Sequence, residues 1–215
     1  MRRMASIRKY IDIGANLTDE MYQGVYHASK KHEPDLDRVL ERSWANGMYK
    51  MIITGGSSID SKKAIDLSYT DLDILKQNKD DIVGGVVHSF DGPQDSLEKI
   101  LELGMYIGIN GCSLRTKENL EVVRKIPQDR LMIETDCPWC EVKPTHPGYT
   151  HVVTKFPAVK KEKYSIDSGN QVKGRNEPVN IVQVLEILAA VRKENIDELA
   201  EAIFNNTNKL FFNNK

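Results

Sequence analysis

The stretch Val83 to Phe90 reads VGGVVHSF, and the fold turns on how it is read. Val86 and Val87, after the Gly84-Gly85 pair, form the short β-branched run of a parallel strand covered on both faces. His88 stands where that strand ends. A histidine there is either a satisfied core residue or a group that faces a ligand, and its neighbours in the fold decide between the two.

Four other apolar runs accompany it: Tyr10 to Gly14, Lys50 to Thr54, Met105 to Ile109 and Arg130 to Thr135, with the quoted strand itself starting at Ile82. Helical spacing separates them, through Leu36, Val39 and Leu40, then Leu97, Ile100, Leu101 and Leu103, then Leu120, Val123 and Ile126. Alternating strand and helix predicts βαβ units and a parallel sheet of about five strands with flanking helices, an α/β fold.

With 215 residues, 40% of them hydrophobic, the chain can bury a substantial core as one domain. A net charge of −1 gives no overall attraction to nucleic acid or to a membrane, so an anionic partner needs a local site. Three cysteines make no disulfide framework and point to a reducing compartment. The N-terminus holds Arg2, Arg3, Arg8 and Lys9 without an apolar signal core, and no stretch is apolar enough to span a membrane. A cytoplasmic or nuclear protein is expected, a short transit peptide being the other reading of those basic residues.

Glu141 to Gly174 contains Pro144, Pro147 and Pro157 and the run KKEK, and is expected to be a long excursion from regular structure. Asn176, Glu177 and Pro178 then read as a helix start, with Ile181, Val184, Leu185 and Leu188 as the buried stripe that follows. A last helix near Ile196 to Leu210 is expected to turn Leu199, Ile203 and Phe204 inward.

Ligands of parallel α/β folds bind beyond the carboxyl ends of the strands. Polar groups stand there repeatedly: Asn16 after the first strand, Thr54 after the second, His88, Asn110, and Glu134-Thr135-Asp136 after the fifth. His88 and Asp136 are the pair able to bind a divalent metal, through a ring nitrogen and a carboxylate oxygen. Asp136 could equally cap the turn that begins at Cys137-Pro138. Thr54 with Gly55 to Ser58 could make a small anion nest or only a tight turn. Arg175 could meet a DNA phosphate or a carboxylate such as Glu134, the structural pairing being favoured. Asn16, Thr54, Arg175 and Glu177 are therefore candidates for substrate contact or structural support. Cys137-Pro138-Trp139-Cys140 invites a redox or zinc reading, but the spacing offers no second ligand pair and only Cys112 besides, so neither is adopted.

The segments DIGANLT (12–18), ITG (53–55), VHSFDG (87–92), YIGING (106–111), IETD (133–136) and RNEP (175–178) resemble, in order, motifs of the TatD family of metal-dependent deoxyribonucleases, eukaryotic type. That resemblance implies a TIM-barrel-derived, amidohydrolase-like fold and hydrolysis of DNA phosphodiester bonds with a divalent metal such as Mg, Mn or Zn. It makes His88 and Asp136 metal ligands, Asp136 also accepting a proton from metal-bound water. Where many relatives carry His-x-His after the first strand, this chain has Gly14 and Asn16. The family's His-Pro, Gly-Glu-x-Gly-Leu-Asp and His-Cys-Arg segments are absent. By this resemblance the barrel is incomplete: residues 1–215 are one truncated domain whose third to fifth family strands are missing, with the junction near Ser68 and Tyr69. A closed eight-stranded barrel typically takes about 250 residues, which supports the same conclusion. The surviving strands are then expected as one open sheet with edges at Met51 to Thr54 and Val83 to His88, bridged by a helix near Asp60 to Lys79. Impaired catalysis, or an inactive short form that at most binds weakly, follows from the lost ligands.

Overall fold

A computed structural model describes residues 8–54 and 84–212. The helix expected near Asp60 to Lys79, the junction near Ser68 and Tyr69, the nest from Gly55 to Ser58, and Ile82 and Val83 of the third expected strand lie outside those residues. In chain order the elements are β1 (Tyr10–Ala15), β2 (Val25–Tyr26), β3 (Ser29–Lys30), α1 (Leu36–Ala45), β4 (Met48–Ile53), β5 (Val86–Val87), α2 (Gln94–Glu102), β6 (Tyr106–Ile109), α3 (Lys117–Val123), β7 (Leu131–Ile133), β8 (Ala158–Val159), β9 (Gln171–Val172), α4 (Ile181–Arg192) and α5 (Ile196–Phe211).

Strands β5, β6 and β7 pair in parallel in that order, and β1 pairs in parallel with β4. A parallel bridge between Ala15 and Cys137 joins the two groups, carried by hydrogen bonds from Asp136 N to Gly14 O (2.7 Å) and from Asn16 N to Cys137 O (2.8 Å). The order is therefore β5-β6-β7-β1-β4. Among the described residues β4 and β5 do not pair with each other, so these five strands form an open sheet. The carboxyl ends of all five point one way, as parallel pairing requires.

Alternation along β6 and β7 sends Ile107, Ile109, Leu131 and Ile133 into the main core and Tyr106 and Met132 to the other face, beside Ile13 of β1. Both sets are buried, which is why these strands read as continuous apolar runs. The main core is closed by Leu97 and Ile100 of α2, Val123 of α3, and Leu199 and Ile203 of α5. Helix α4 is buried on nearly every side, Ile187, Ala189 and Val191 included, rather than along one stripe. Phe204 is only half-buried, packing beside Tyr49 with ring centroids 5.4 Å apart, and Thr207 takes the inward place one turn on.

The helix expected from Asn176 starts later. Glu177 precedes a single 3₁₀ turn at Pro178–Asn180 without a side-chain cap, and α4 begins at Ile181. Asn176 is diverted: its Nδ2 donates to Thr135 O (3.0 Å) and its Oδ1 accepts from Glu177 N (3.0 Å). The excursion from 141 to 174 is pinned to α4, where Glu186 accepts from Val153 N (2.8 Å), Thr154 N (3.0 Å) and Thr154 Oγ1 (2.6 Å). It also contains a short parallel pair, β8 with β9. Among the described residues no helix is long and apolar enough to cross a membrane.

Candidate functional site

Glu134, the residue after β7, is the hub of the strand ends. It is fully buried, and its Oε1 accepts from Ser89 N (2.6 Å), Ser89 Oγ (2.9 Å) and Asn110 Nδ2 (3.0 Å). Three donors offset much of the cost of burying a carboxylate oxygen. The other oxygen, Oε2, is buried with no partner. It lies in a tight notch beside two glycines. A Cβ at Gly14 would sit 3.0 Å from Oε2, and one at Gly108 would sit 3.2 Å from Oε2 and 3.1 Å from the His88 Cα. Ser89 holds a left-handed backbone, φ 52°, which costs a non-glycine residue about 1–2 kcal/mol and is sustained by its two bonds to Glu134.

His88 ends β5 with its Nδ1 3.8 Å from Glu134 Oε1 and its side chain 44% exposed. The Glu134 carboxylate raises the pKa of the ring, outweighing the opposing effect of burial. Asp136 also has a left-handed backbone, φ 52°. Asn16 Nδ2 donates to its Oδ1 (2.9 Å) and the Cys140 thiol to its Oδ2 (3.3 Å). Burial raises the Asp136 pKa, and those two hydrogen bonds oppose the rise. Thr54 Oγ1 donates to Asn16 Oδ1 (2.5 Å), so one hydroxyl fixes the amide that fixes the carboxylate. The Asp136 backbone joins β7 to β1, while its side chain accepts from Asn16 across the strand ends and from the Cys140 thiol in the turn that follows.

Arg175 and Glu177 belong elsewhere. The Arg175 guanidinium is buried and grips Asp35 through two bonds (2.7 and 2.6 Å), with a third to Glu177 Oε1 (3.2 Å), so the carboxylate it pairs with is Asp35 rather than Glu134. Glu177 Oε2 accepts from Arg42 Nε (2.8 Å). This buried network ties α1 to the segment before α4 and leaves neither residue free for a phosphate. Asp12 is likewise structural, accepting from Gly14 N (3.0 Å), Thr135 N (3.0 Å) and the Thr135 hydroxyl. The structure thus gathers His88, Asp136, Asn16 and Thr54 and sets Arg175 and Glu177 apart. It joins to them Glu134 and Asn110, which the sequence also places at strand ends, and adds Ser89. Glu134 stands two positions before Asp136 along the chain, the spacing that keeps two strand residues on one face, and that was the signal available for it.

His88, Glu134 and Asp136 offer nitrogen and oxygen donors of the kind a divalent cation takes, and the unpartnered Glu134 Oε2 is an atom such a charge would satisfy. Among the described residues, however, no group of three His, Cys, Asp or Glu side chains is arranged to hold a metal ion. The donors fit in kind and fall short in number.

The sequence profile of the family described as TatD related DNase matches residues 68–212. A protein of Schizosaccharomyces pombe named deoxyribonuclease Tat-D is 30% identical over 308 aligned positions, covering 95% of this chain and 98% of that protein. Its namesake in Saccharomyces cerevisiae is 41% identical over 142 residues, 59% of this chain but only 34% of that protein. Among solved structures, a hydrolase TatD family protein of Entamoeba histolytica superposes with a TM-score of 0.80 at 28% identity, covering 97% of this chain and 99% of that one. An uncharacterized amidohydrolase of Saccharomyces cerevisiae shares the fold, with a TM-score of 0.79. The open parallel sheet is accordingly an incomplete TIM barrel of the TatD type.

Proposed function

The chain belongs to the TatD related DNase family, and on that premise we propose that its strand-end cluster is a reduced form of a DNA phosphodiester hydrolase site. His88 and Asp136 would hold a divalent ion such as Mg, Mn or Zn beside Glu134. When bound, the ion supplies charge for the phosphoryl oxygens and lowers the pKa of water. The chain's own contribution is orientation. Thr54 and Asn16 fix one face of Asp136, whose burial-raised pKa suits a proton acceptor.

One observation carries the reduced character: the sequence lacks the Gly-Glu-x-Gly-Leu-Asp and His-Cys-Arg segments that the family resemblance leads one to expect. Loss of supporting partners alone costs about 10- to 100-fold in metal affinity or activity, and loss of ligands costs more. An internal deletion near Ser68 and Tyr69 is supported by the family match beginning at residue 68 and by an alignment of 308 positions against a chain of 215 residues. The reading places the chain on DNA, in a cytoplasmic or nuclear setting suited to its three free cysteines.

Mn²⁺ titration followed by electron paramagnetic resonance tests it. The wild-type chain is expected to bind at least about 100-fold more weakly than a relative with the full ligand set, and Asp136→Asn to abolish what binding there is. Binding as tight as the relative's would overturn the reduced site, and binding untouched by Asp136→Asn would overturn the ligand assignment.

A further inference from the structure

Trp139 stands 45% exposed, three residues past Asp136. The turn that carries it is held from both sides, by hydrogen bonds from Trp139 N to Asp136 O (3.0 Å) and from Asn176 N to Pro138 O (2.9 Å). A single exposed aromatic ring needs no explanation. This one divides two clefts whose walls carry cations.

The first cleft, of about 680 Å³, is lined by Arg115, Lys143 and His146, with Glu141 as its acid. Their charges act on one another: the His146 pKa is lowered by burial first, and then by Arg115 and Lys143. The second cleft, of about 400 Å³, is lined by Lys160, Lys161 and Lys173, with Glu162 as its acid. Trp139 and Gly174 belong to both walls. A Cβ on Gly174 would meet no atom within 4 Å, so the space between the clefts is open. Five lysines and arginines thus face two glutamates in a chain whose net charge is −1, and this is the local site that an anionic partner needs.

We propose that Trp139 is a base-stacking platform for single-stranded DNA, with the phosphates on either side of the stacked base lying in the two basic clefts. A positive groove with an aromatic face in its path is the chemistry that holds a single strand, because every base has a π-face and every linkage a charge. In a duplex the base faces are already covered by their neighbours, so a duplex offers Trp139 little. The inference rests on the proposed DNA hydrolase reading for its choice of polymer, and adds a hold on the strand that uses no metal. The Cys140 thiol, which lines the first cleft, donates to Asp136, so a strand lying there is beside the cluster.

Fluorescence anisotropy of a fluorescein-labelled oligodeoxythymidine, titrated with the full chain in EDTA, tests it. With metal removed, binding is read apart from hydrolysis: a failed metal site leaves this result unchanged, and a failed platform leaves Mn²⁺ binding unchanged. Trp139→Ala is expected to weaken binding by about 5- to 150-fold, and Trp139→Phe, which keeps a π-face, by less. An abasic strand of equal length keeps the phosphates without the bases and is expected to bind the wild-type chain at least about 5-fold more weakly. Lys143→Gln combined with Lys173→Gln is expected to flatten the plot of log affinity against log salt by about 1.4, or about 0.7 per phosphate contact. No saturable binding, equal binding of the abasic strand, Trp139→Ala equal to wild type, or an unchanged salt slope would each overturn the proposal. The abasic comparison uses the wild-type chain alone and decides the matter even where a variant folds poorly.

Discussion

The side-chain amide of Asn16 donates to the carboxylate of Asp136 at 2.9 Å although 120 residues separate them. The same amide nitrogen donates to Cys137 O (3.1 Å), and Thr54 donates to the amide oxygen. Three strand ends are thereby locked together at the junction of β7, β1 and β4. Replacing Asn16 with Ala leaves the part-buried Asp136 Oδ1 without its donor and the Thr54 hydroxyl without its acceptor, while Cys137 O keeps the Asn16 backbone N–H; the loss costs about 1–3 kcal/mol. Thr54→Val removes only the outer bond and is expected to cost about 1 kcal/mol. Urea denaturation of both variants checks the ranking, which would fail if Thr54→Val were the more damaging.

Asp12 gives the chain a pH dependence of unusual sign. Burial raises its carboxyl pKa from 3.8 to about 7, against hydrogen bonds from Thr135 and Gly14. The native state then holds this proton more tightly than the unfolded chain does. The group's contribution to stability is full below about pH 4 and is lost as pH rises through about 7, by at most about 1.4 kcal/mol per pH unit. Asp12→Asn keeps the acceptor without the charge. Its stability relative to wild type is expected to improve steadily from pH 4 to 7, and parallel stability curves would refute this.

The Arg175–Asp35 pair is fully buried on both sides. Removing one partner leaves an uncompensated charge, so Asp35→Ala is expected to destabilise by about 3–5 kcal/mol. The double variant Asp35→Leu with Arg175→Met should recover much of that loss. Thermal unfolding of the three proteins distinguishes a pair that matters mainly by its mutual presence from one that is favourable outright, in which case the double variant would be the worst.

Strand β4 pairs only with β1 and β5 only with β6 among the described residues, and Ile53 is 57% exposed and Tyr49 49%. Apolar strand edges of this kind recruit other chains. Size-exclusion chromatography is expected to show concentration-dependent association that Ile53→Lys reduces. A wild-type monomer at all concentrations would count against it.

The parallel strands were legible because β1, β6 and β7 are buried on both faces and so read as unbroken apolar runs, whereas the order of the strands was an expectation from the family resemblance. The placement of His88 and Asp136 at the strand ends was legible from where the apolar runs stop. The partner of Arg175 was not, since Asp35 lies 140 residues away along the chain. Asn176 likewise reads as a cap, but a better acceptor, the buried Thr135 carbonyl, claims its side chain. Glu134 was placed at a strand end but given no role of its own, because what it accepts from comes from other parts of the chain. Its role is set by Ser89 and Asn110, brought to it by two other strands.

Incubation of the purified chain with single-stranded DNA and Mn²⁺, beside His88→Ala and Asp136→Asn, bears most directly on the reduced hydrolase site. The wild-type chain is expected to cleave at least about 100-fold more slowly than a relative with the full ligand set, given what even supporting partners contribute. Cleavage at the relative's rate, abolished by both substitutions, would show that His88, Asp136 and Glu134 suffice and would contradict the account.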